Sequence, residues 1–246
     1  GRPSLVPRPE VAGAGFNTFD AGAGYVLRTA DALTVRLVAT GEGNVEGLRA
    51  AVQSVAQQVG AISGVALTVA PGSVPDTTPD RAPGTDEILI SVDSTSPCGS
   101  GNSWAGCGGP ANITDSPRAG IRVIHGGRAW VHPQAMGYSA ADLGHVVSHE
   151  LGHTLGLSHY DGVFDGTNQV MHSGSYAAGP TFRSGDANGL RFLHSPLPPQ
   201  RPANDSFSAA TALSSSVGSV SGSNVDATKE AGEPGHAGNA GGASVW

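Results

Sequence analysis

The chain has 246 residues with 13 basic and 20 acidic side chains, a net charge of −7, and 37 glycines and 17 prolines that together make about a fifth of it. That length holds one ordinary domain plus a smaller piece, or two small ones, and the glycine and proline content sits just below the low-complexity range, so order must be unevenly distributed. The basic residues are twelve arginines and one lysine, Lys229; no basic stripe exists to neutralise phosphates, which argues against nucleic acid or an anionic membrane as partner.

Lys229 stands alone near the end of the chain, so a GxxxxGK[ST] phosphate loop, a Schiff-base lysine and a Ser-Lys pair are excluded from everything before it. No GxSxG elbow occurs. No apolar run approaches the ~20 residues of a membrane helix. Cys98 and Cys107 are the only cysteines. A cystine between them suits an exported protein and two free thiols suit a cytosolic one.

In chain order, residues 1–30 read as an irregular lead-in without clear period. Leu33, Val35, Leu37 and Ala39 then alternate with polar neighbours, the pattern of a half-buried strand. Val45, Leu48, Val52, Val55, Val59 and Ile62 follow at spacings of three and four, which predicts a helix capped by Asn44 and ended near Gly60 to Gly64. The glycines at 41, 43 and 47 sit where a dinucleotide fingerprint would, but the third is one place late and no acidic partner is placed, so they read as turn and cap residues. Val65 to Ala70 and Glu87 to Val92 are two further strands. Gly120 to His125 and Arg128 to His132 flank Gly126-Gly127, the signal of a hairpin.

A helix follows from Ser139, with Asp142 completing a variant capping box and Leu143, Val146, Val147, Leu151 and Leu155 forming its buried side up to Gly156. A last helix over 184–194 precedes a Pro-rich linker, 196–203, so the main domain spans 31–195. Residues 204–246 carry valines spaced among Ser and Gly, as in short strands, yet number too few to bury a core alone. They are expected to be the truncated start of a β-sandwich module.

The chemistry concentrates in His149-Glu150-Leu151-Gly152-His153-Thr154-Leu155-Gly156-Leu157-Ser158-His159, an HExxHxxGxxH run. Two histidines four apart project from one helix face; Gly156 lets the chain leave the helix through a left-handed turn, and His159 returns as a third nitrogen. Given nine His and seven Glu in the chain, HExxH alone arises in roughly 1% of shuffled sequences and the full run in about 1 in 20,000. Three neutral nitrogens leave one zinc position open, whereas structural sites are usually closed by cysteine. Zinc in such a site acidifies water, and Glu150 is placed to act as general base in peptide-bond hydrolysis.

These eleven residues resemble the signature of the metzincin clan of zinc endopeptidases. The resemblance implies an α+β fold with a mixed, mostly parallel five-stranded sheet, an active-site helix and a C-terminal helix. It also implies a methionine turn beneath the metal, for which Met171 in Gln169-Val170-Met171-His172-Ser173 is the match. By the same resemblance Gly120 to His125 is the edge strand that takes an extended peptide or protein substrate by β-augmentation. Some subfamilies place a tyrosine two residues after the methionine; this chain has Ser173 there, and Tyr176 is the candidate transition-state donor, with a packed structural tyrosine as its alternative. Tyr160 follows the third histidine and assigns no subfamily. No cysteine precedes Cys98, so a cysteine-switch latency is not available.

Other candidates are weaker. His145 lies one turn before His149 and reads as a packed residue near the site; His132 and His172 are either cleft-lining or merely exposed. Asp161, Asp165, Asp186 and Asn188 resemble calcium ligands but lack the ladder of an EF-hand, and a solvated acidic loop is the alternative. Asn112 and Asn204 open glycan sequons. The tail is similar to the opening of β-sandwich modules of bacterial extracellular proteins, and the low lysine content suits a GC-rich bacterial genome. The expectation is a secreted, monomeric zinc metalloendopeptidase whose leader lies outside this sequence. Its rival is a non-catalytic extracellular adhesion protein with a remnant zinc domain.

Overall fold

Strand Ala32–Ala39 (β3) buries Leu33, Val35 and Leu37 on one face, as its alternation predicts, and Val38 is buried as well. It is the middle of a parallel group, flanked by Ala66–Pro75 (β4) and Glu87–Val92 (β5). All six residues of β5 are buried, the expected character of a parallel strand covered on both faces. The structure is a computed structural model and describes residues 13–20, 23–75, 81–100, 104–116, 120–174, 179–195, 202–212, 221–224, 227–232 and 245. Internal contacts divide the chain into two units, 1–195 and 196–246. In the second unit the described residues include a short 3-10 turn, Phe207–Ala209, and Asp205, whose carboxylate accepts from the backbone and hydroxyl of Thr228.

The lead-in is less irregular than its sequence suggests. Asn17–Thr18 (β1) and Val26–Thr29 (β2) are strands; both are too short to show a period, and their partners lie more than ninety residues away. Helix α1, Arg49–Ser63, buries Val52, Val55, Ala56 and Val59. It is entered through a 3-10 turn, Val45–Leu48, and the Asn44 side chain makes no capping bond, so the predicted cap is not the one used. Its C-terminal cap is Gly64, at φ +83°.

The predicted hairpin does not exist. Ile121–Val131 is one eleven-residue strand, β9, running straight through Gly126-Gly127. The two glycines answer to close approach instead of a turn: a Cβ on Gly126 would lie 2.5 Å from the Glu87 carbonyl oxygen, and one on Gly127 2.4 Å from the Thr154 side chain. Along one edge of β9, β2 pairs with residues 121–124 and β5 with 126–131, both parallel. Along the other edge runs Gly106–Asp115 (β8), antiparallel. Among the described residues the sheet therefore has six strands where five were expected, and it is mostly parallel with a single antiparallel strand. Residues 121–124 lie inside it, between β8 and β2, so the exposed edge beside the site belongs to β8 and not to the predicted segment.

Among the described residues three two-stranded ladders lie outside this sheet: β1 with Leu157–Ser158 (β10), Thr95–Ser96 (β6) with Gly99–Ser100 (β7), and Val163–Phe164 (β11) with Thr167–Asn168 (β12), all antiparallel. Cys98 and Cys107 are joined in a disulfide. Asn112 is at φ +48°, and its side-chain nitrogen donates to the carbonyls of Pro83 and Gly84 at 2.5 and 2.6 Å, so the atom a glycan would use is engaged. The second long helix, α2, spans Ala140–Thr154. Ser139 caps it as predicted: its hydroxyl accepts from the Asp142 backbone N–H at 3.2 Å and donates to the Asp142 carboxylate at 2.7 Å. The last helix, α3, is Ser184–His194. No described helix is long and apolar enough to cross a membrane.

Because Ser139 holds the start of the helix that carries the HExxH run, Ser139→Ala is expected to lower unfolding stability by about 0.5–2 kcal/mol, read as a shift in denaturant midpoint with an unchanged slope; no shift would mean the cap is idle.

Candidate metal centre

Helix α2 places His149 and His153 one turn apart on its buried side, with Glu150 between them. After Leu155 the chain turns at Gly156, φ +110°, a left-handed conformation that glycine adopts without strain. Leu157–Ser158 (β10) follows and delivers His159. The three Nε2 atoms converge: His149 to His153 is 3.0 Å, His149 to His159 3.1 Å and His153 to His159 3.2 Å. His149 Nδ1 donates to the Val170 carbonyl and His153 Nδ1 to the Leu157 carbonyl, both at 2.8 Å. A carbonyl only accepts, so the proton of each neutral ring sits on Nδ1 and the lone pair of Nε2 points into the cluster.

Burial, and then the neighbouring His153, pushes His149 down to about 3; burial pushes His153 down to about 4. Both rings are therefore uncharged at neutral pH. Tetrahedral zinc with Zn–N bonds of 2.0–2.1 Å sets its nitrogens about 3.3–3.4 Å apart, close to the separations found. Lone pairs that face each other with no proton between them are the donor set of a shared cation, and the residues fit zinc. Among the described residues this is the one group of three or more His, Cys, Asp or Glu side chains able to share an ion. Asp161, Asp165 and Asn188 are engaged elsewhere, with the Ser173 backbone N–H, the Ser184 hydroxyl and the Ala14 carbonyl respectively, and do not converge.

Glu150 is the second component. Its side chain is buried and lines the same cavity of about 450 Å3 as the three histidines. Burial alone raises its pKa to about 8. Strand β8 crosses directly over it: a Cβ on Gly106 would lie 2.5 Å from Glu150 Cγ, and one on Gly108 2.5 Å from its backbone oxygen. These glycines, on either side of disulfide-bonded Cys107, let the strand approach the carboxylate. The rest of the cavity wall includes Trp104, His145, His172, Ser173 and Phe19. His145 is buried, with Nδ1 on the Gly179 carbonyl at 3.0 Å; His172 lines the cavity, whereas His132 is buried against the Trp104 ring, centroids 5.0 Å apart.

Met171 is buried beneath α2, its Sδ 2.6 Å from where a Cβ on Gly152 would lie. Its turn is held by Asp186 on α3, whose carboxylate accepts the backbone N–H groups of Val170, Met171 and Arg183 at 2.9, 3.2 and 2.9 Å. Sequence reading treated Asp186 only as a possible ion ligand or a solvated acid. Its position in the first turn of a predicted helix was the available signal for a capping role, although the partner loop was not. Tyr176 lies outside the described residues. Phe19 was missed altogether; it is 43% exposed at the cavity, its ring centroid 5.5 Å from that of His153.

No family profile matches the chain, and no curated protein does. Among solved structures, a metalloproteinase-II from Bacteroides fragilis is similar at a TM-score of 0.42 and 16% identity, covering 69% of this chain and 56% of that one. The chain thus spans little more than half of that protein, and likeness at this level carries no argument; the reading below rests on the site.

With Glu150 raised to about 8 from 4.5, the metal-free folded protein holds a proton that the unfolded chain has released, so this group lowers stability as pH rises from about 4.5 to about 8. Glu150→Gln removes that loss. In metal-free protein its melting temperature is expected to exceed that of the parent by a margin that grows up to pH 8 and then levels; a margin independent of pH would contradict the burial of the carboxyl.

Proposed function

We propose that this chain is a zinc-dependent endopeptidase of the metzincin type, exported from its cell. The observation that carries the proposal is a buried carboxyl group sharing one cavity with three converging imidazole nitrogens. His149, His153 and His159 would hold the ion. When bound, zinc supplies Lewis-acid polarisation to a carbonyl and makes water a stronger acid. Glu150 supplies the proton transfer: its carboxylate takes a proton from the attacking water and returns it to the leaving amine. Glu150, raised by burial in the metal-free protein, would be held in its ionised form, the form a base requires, once a cation occupied the neighbouring triad.

Substrate orientation falls to β8. Its inner edge is paired with β9, and among the described strands its outer edge has no partner, so an extended peptide can add to it by main-chain hydrogen bonds. The register runs past Gly106 and Gly108, directly over Glu150. Met171 supports the ligands from below. Phe19 offers an apolar wall of the cavity beside His153. Residues 204–246 are proposed to act in targeting, and the disulfide is compatible with an oxidising compartment.

A peptide-library digest with and without chelator tests the proposal: cleavage that needs one zinc per chain is expected, and zinc-independent cleavage, or none, would sink it. Glu150→Ala should retain zinc while turnover falls by about 10²–10⁴. Gly106→Ala, whose Cβ meets the Glu150 side chain, should cut kcat at least tenfold with zinc content unchanged; full activity would show that β8 does not fix the carboxylate. Phe19→Ala should change the sequence preference of cleavage, seen as loss of apolar residues at one substrate position.

A further inference from the structure

The three ligands are not held alike. His149 and His153 come from a buried helix and each has its ring tied through Nδ1 to a carbonyl. His159 is exposed, and among the described residues no carbonyl accepts from its ring. What fixes it is its main chain. On one side, the next residue, Tyr160, donates its backbone N–H to the Met171 carbonyl at 2.9 Å. On the other, the His159 carbonyl accepts the side-chain amide of Asn17 at 2.7 Å, a bond spanning 142 residues of sequence. Only the amide nitrogen can donate to a carbonyl, so the orientation of Asn17 is set.

Asn17 belongs to a strap tied down on both sides of it. Upstream, the Ala14 carbonyl accepts from Asn188 on α3 at 3.0 Å. Downstream, buried Asp20 accepts the Leu27 backbone N–H at 2.9 Å and the Thr18 hydroxyl. Between these anchors β1 pairs antiparallel with β10, Asn17 opposite Ser158 and Thr18 opposite Leu157, and the Phe19 N–H reaches the Gly156 carbonyl at 3.2 Å. The strap thus follows the whole stretch from the end of α2 to the third ligand.

We propose that Asn17 is a positioning residue of the metal centre: its side chain pins the main chain of His159, the ligand with the fewest ring contacts, and thereby sets how firmly the ion is kept. This rests on the zinc reading above and goes beyond it, since it assigns a role in metal retention to a segment that sequence patterning leaves as a lead-in. Losing one such bond is expected to weaken zinc binding by about 3- to 10-fold, mostly through faster release.

The test is competition of the intact chain with a chromophoric zinc chelator, giving Kd and release rate for the parent, Asn17→Ala and Asn17→Asp, alongside melting of each metal-free protein. Asn17→Asp keeps size and strand pairing but removes the donor. Both variants are expected to release zinc about 3- to 10-fold faster with metal-free melting temperatures within a degree or two of the parent. Parent-like retention in both overturns the inference, as does retention by Asn17→Asp with loss only in Asn17→Ala, or a loss that merely tracks the metal-free melting temperature. A parent chain that binds no zinc overturns the function reading itself, and this inference with it.

Discussion

The organisation of the molecule turns on two Nδ1–H groups given to carbonyls. By spending those protons on Val170 and Leu157, His149 and His153 are left with bare Nε2 lone pairs 3.0 Å apart. In a buried setting that arrangement is repulsive unless a cation is shared, and protonation is opposed by the desolvation that lowers both pKa values. The carbonyls come from the loop that ends in Met171 and from the strand that delivers His159, so the same two contacts that set the tautomers also place the elements around the triad.

The surrounding fold serves that geometry from two sides. From above, the sheet brings β8 so close to α2 that only glycines fit over Glu150. From below, Asp186 spends a buried carboxylate on three backbone N–H groups, satisfying two donors of the Met171 turn and one at the start of its own helix that would otherwise be left orphaned. Burial raises Asp186 from the usual carboxylate range, while the N–H donors pull it back. The cysteine pair ties the approach to β8 beside the carboxylate, so the cavity wall is covalently closed on the side where the strand passes over the helix.

Much of this was legible in the residues. The spacing of His149, His153 and His159 encodes convergence because a helix turn and a glycine exit have fixed geometry, and Ser139 with Asp142 announces the helix that carries them. β3 and α1 follow from periodicity. What was not legible depends on distant partners. Gly126-Gly127 looks like a turn locally, and only the proximity of Thr154 and Glu87 explains it as strand. β8, with its run of Gly, Pro and Asn, has weak strand propensity and is defined by pairing with β9. Asn17 and Asp186 act across 142 and about fifteen residues, and a single sequence carries no mark of either pairing.

X-ray absorption at the zinc edge, on the intact chain loaded with one equivalent of zinc, tests the central claim most directly. The account predicts a low-coordinate centre whose imidazole scattering fits three histidines at 2.0–2.1 Å with no sulfur, and the loss of one imidazole when any member of the triad is replaced by alanine. A spectrum with sulfur ligation, with fewer than three imidazoles, or unchanged by those replacements would contradict it.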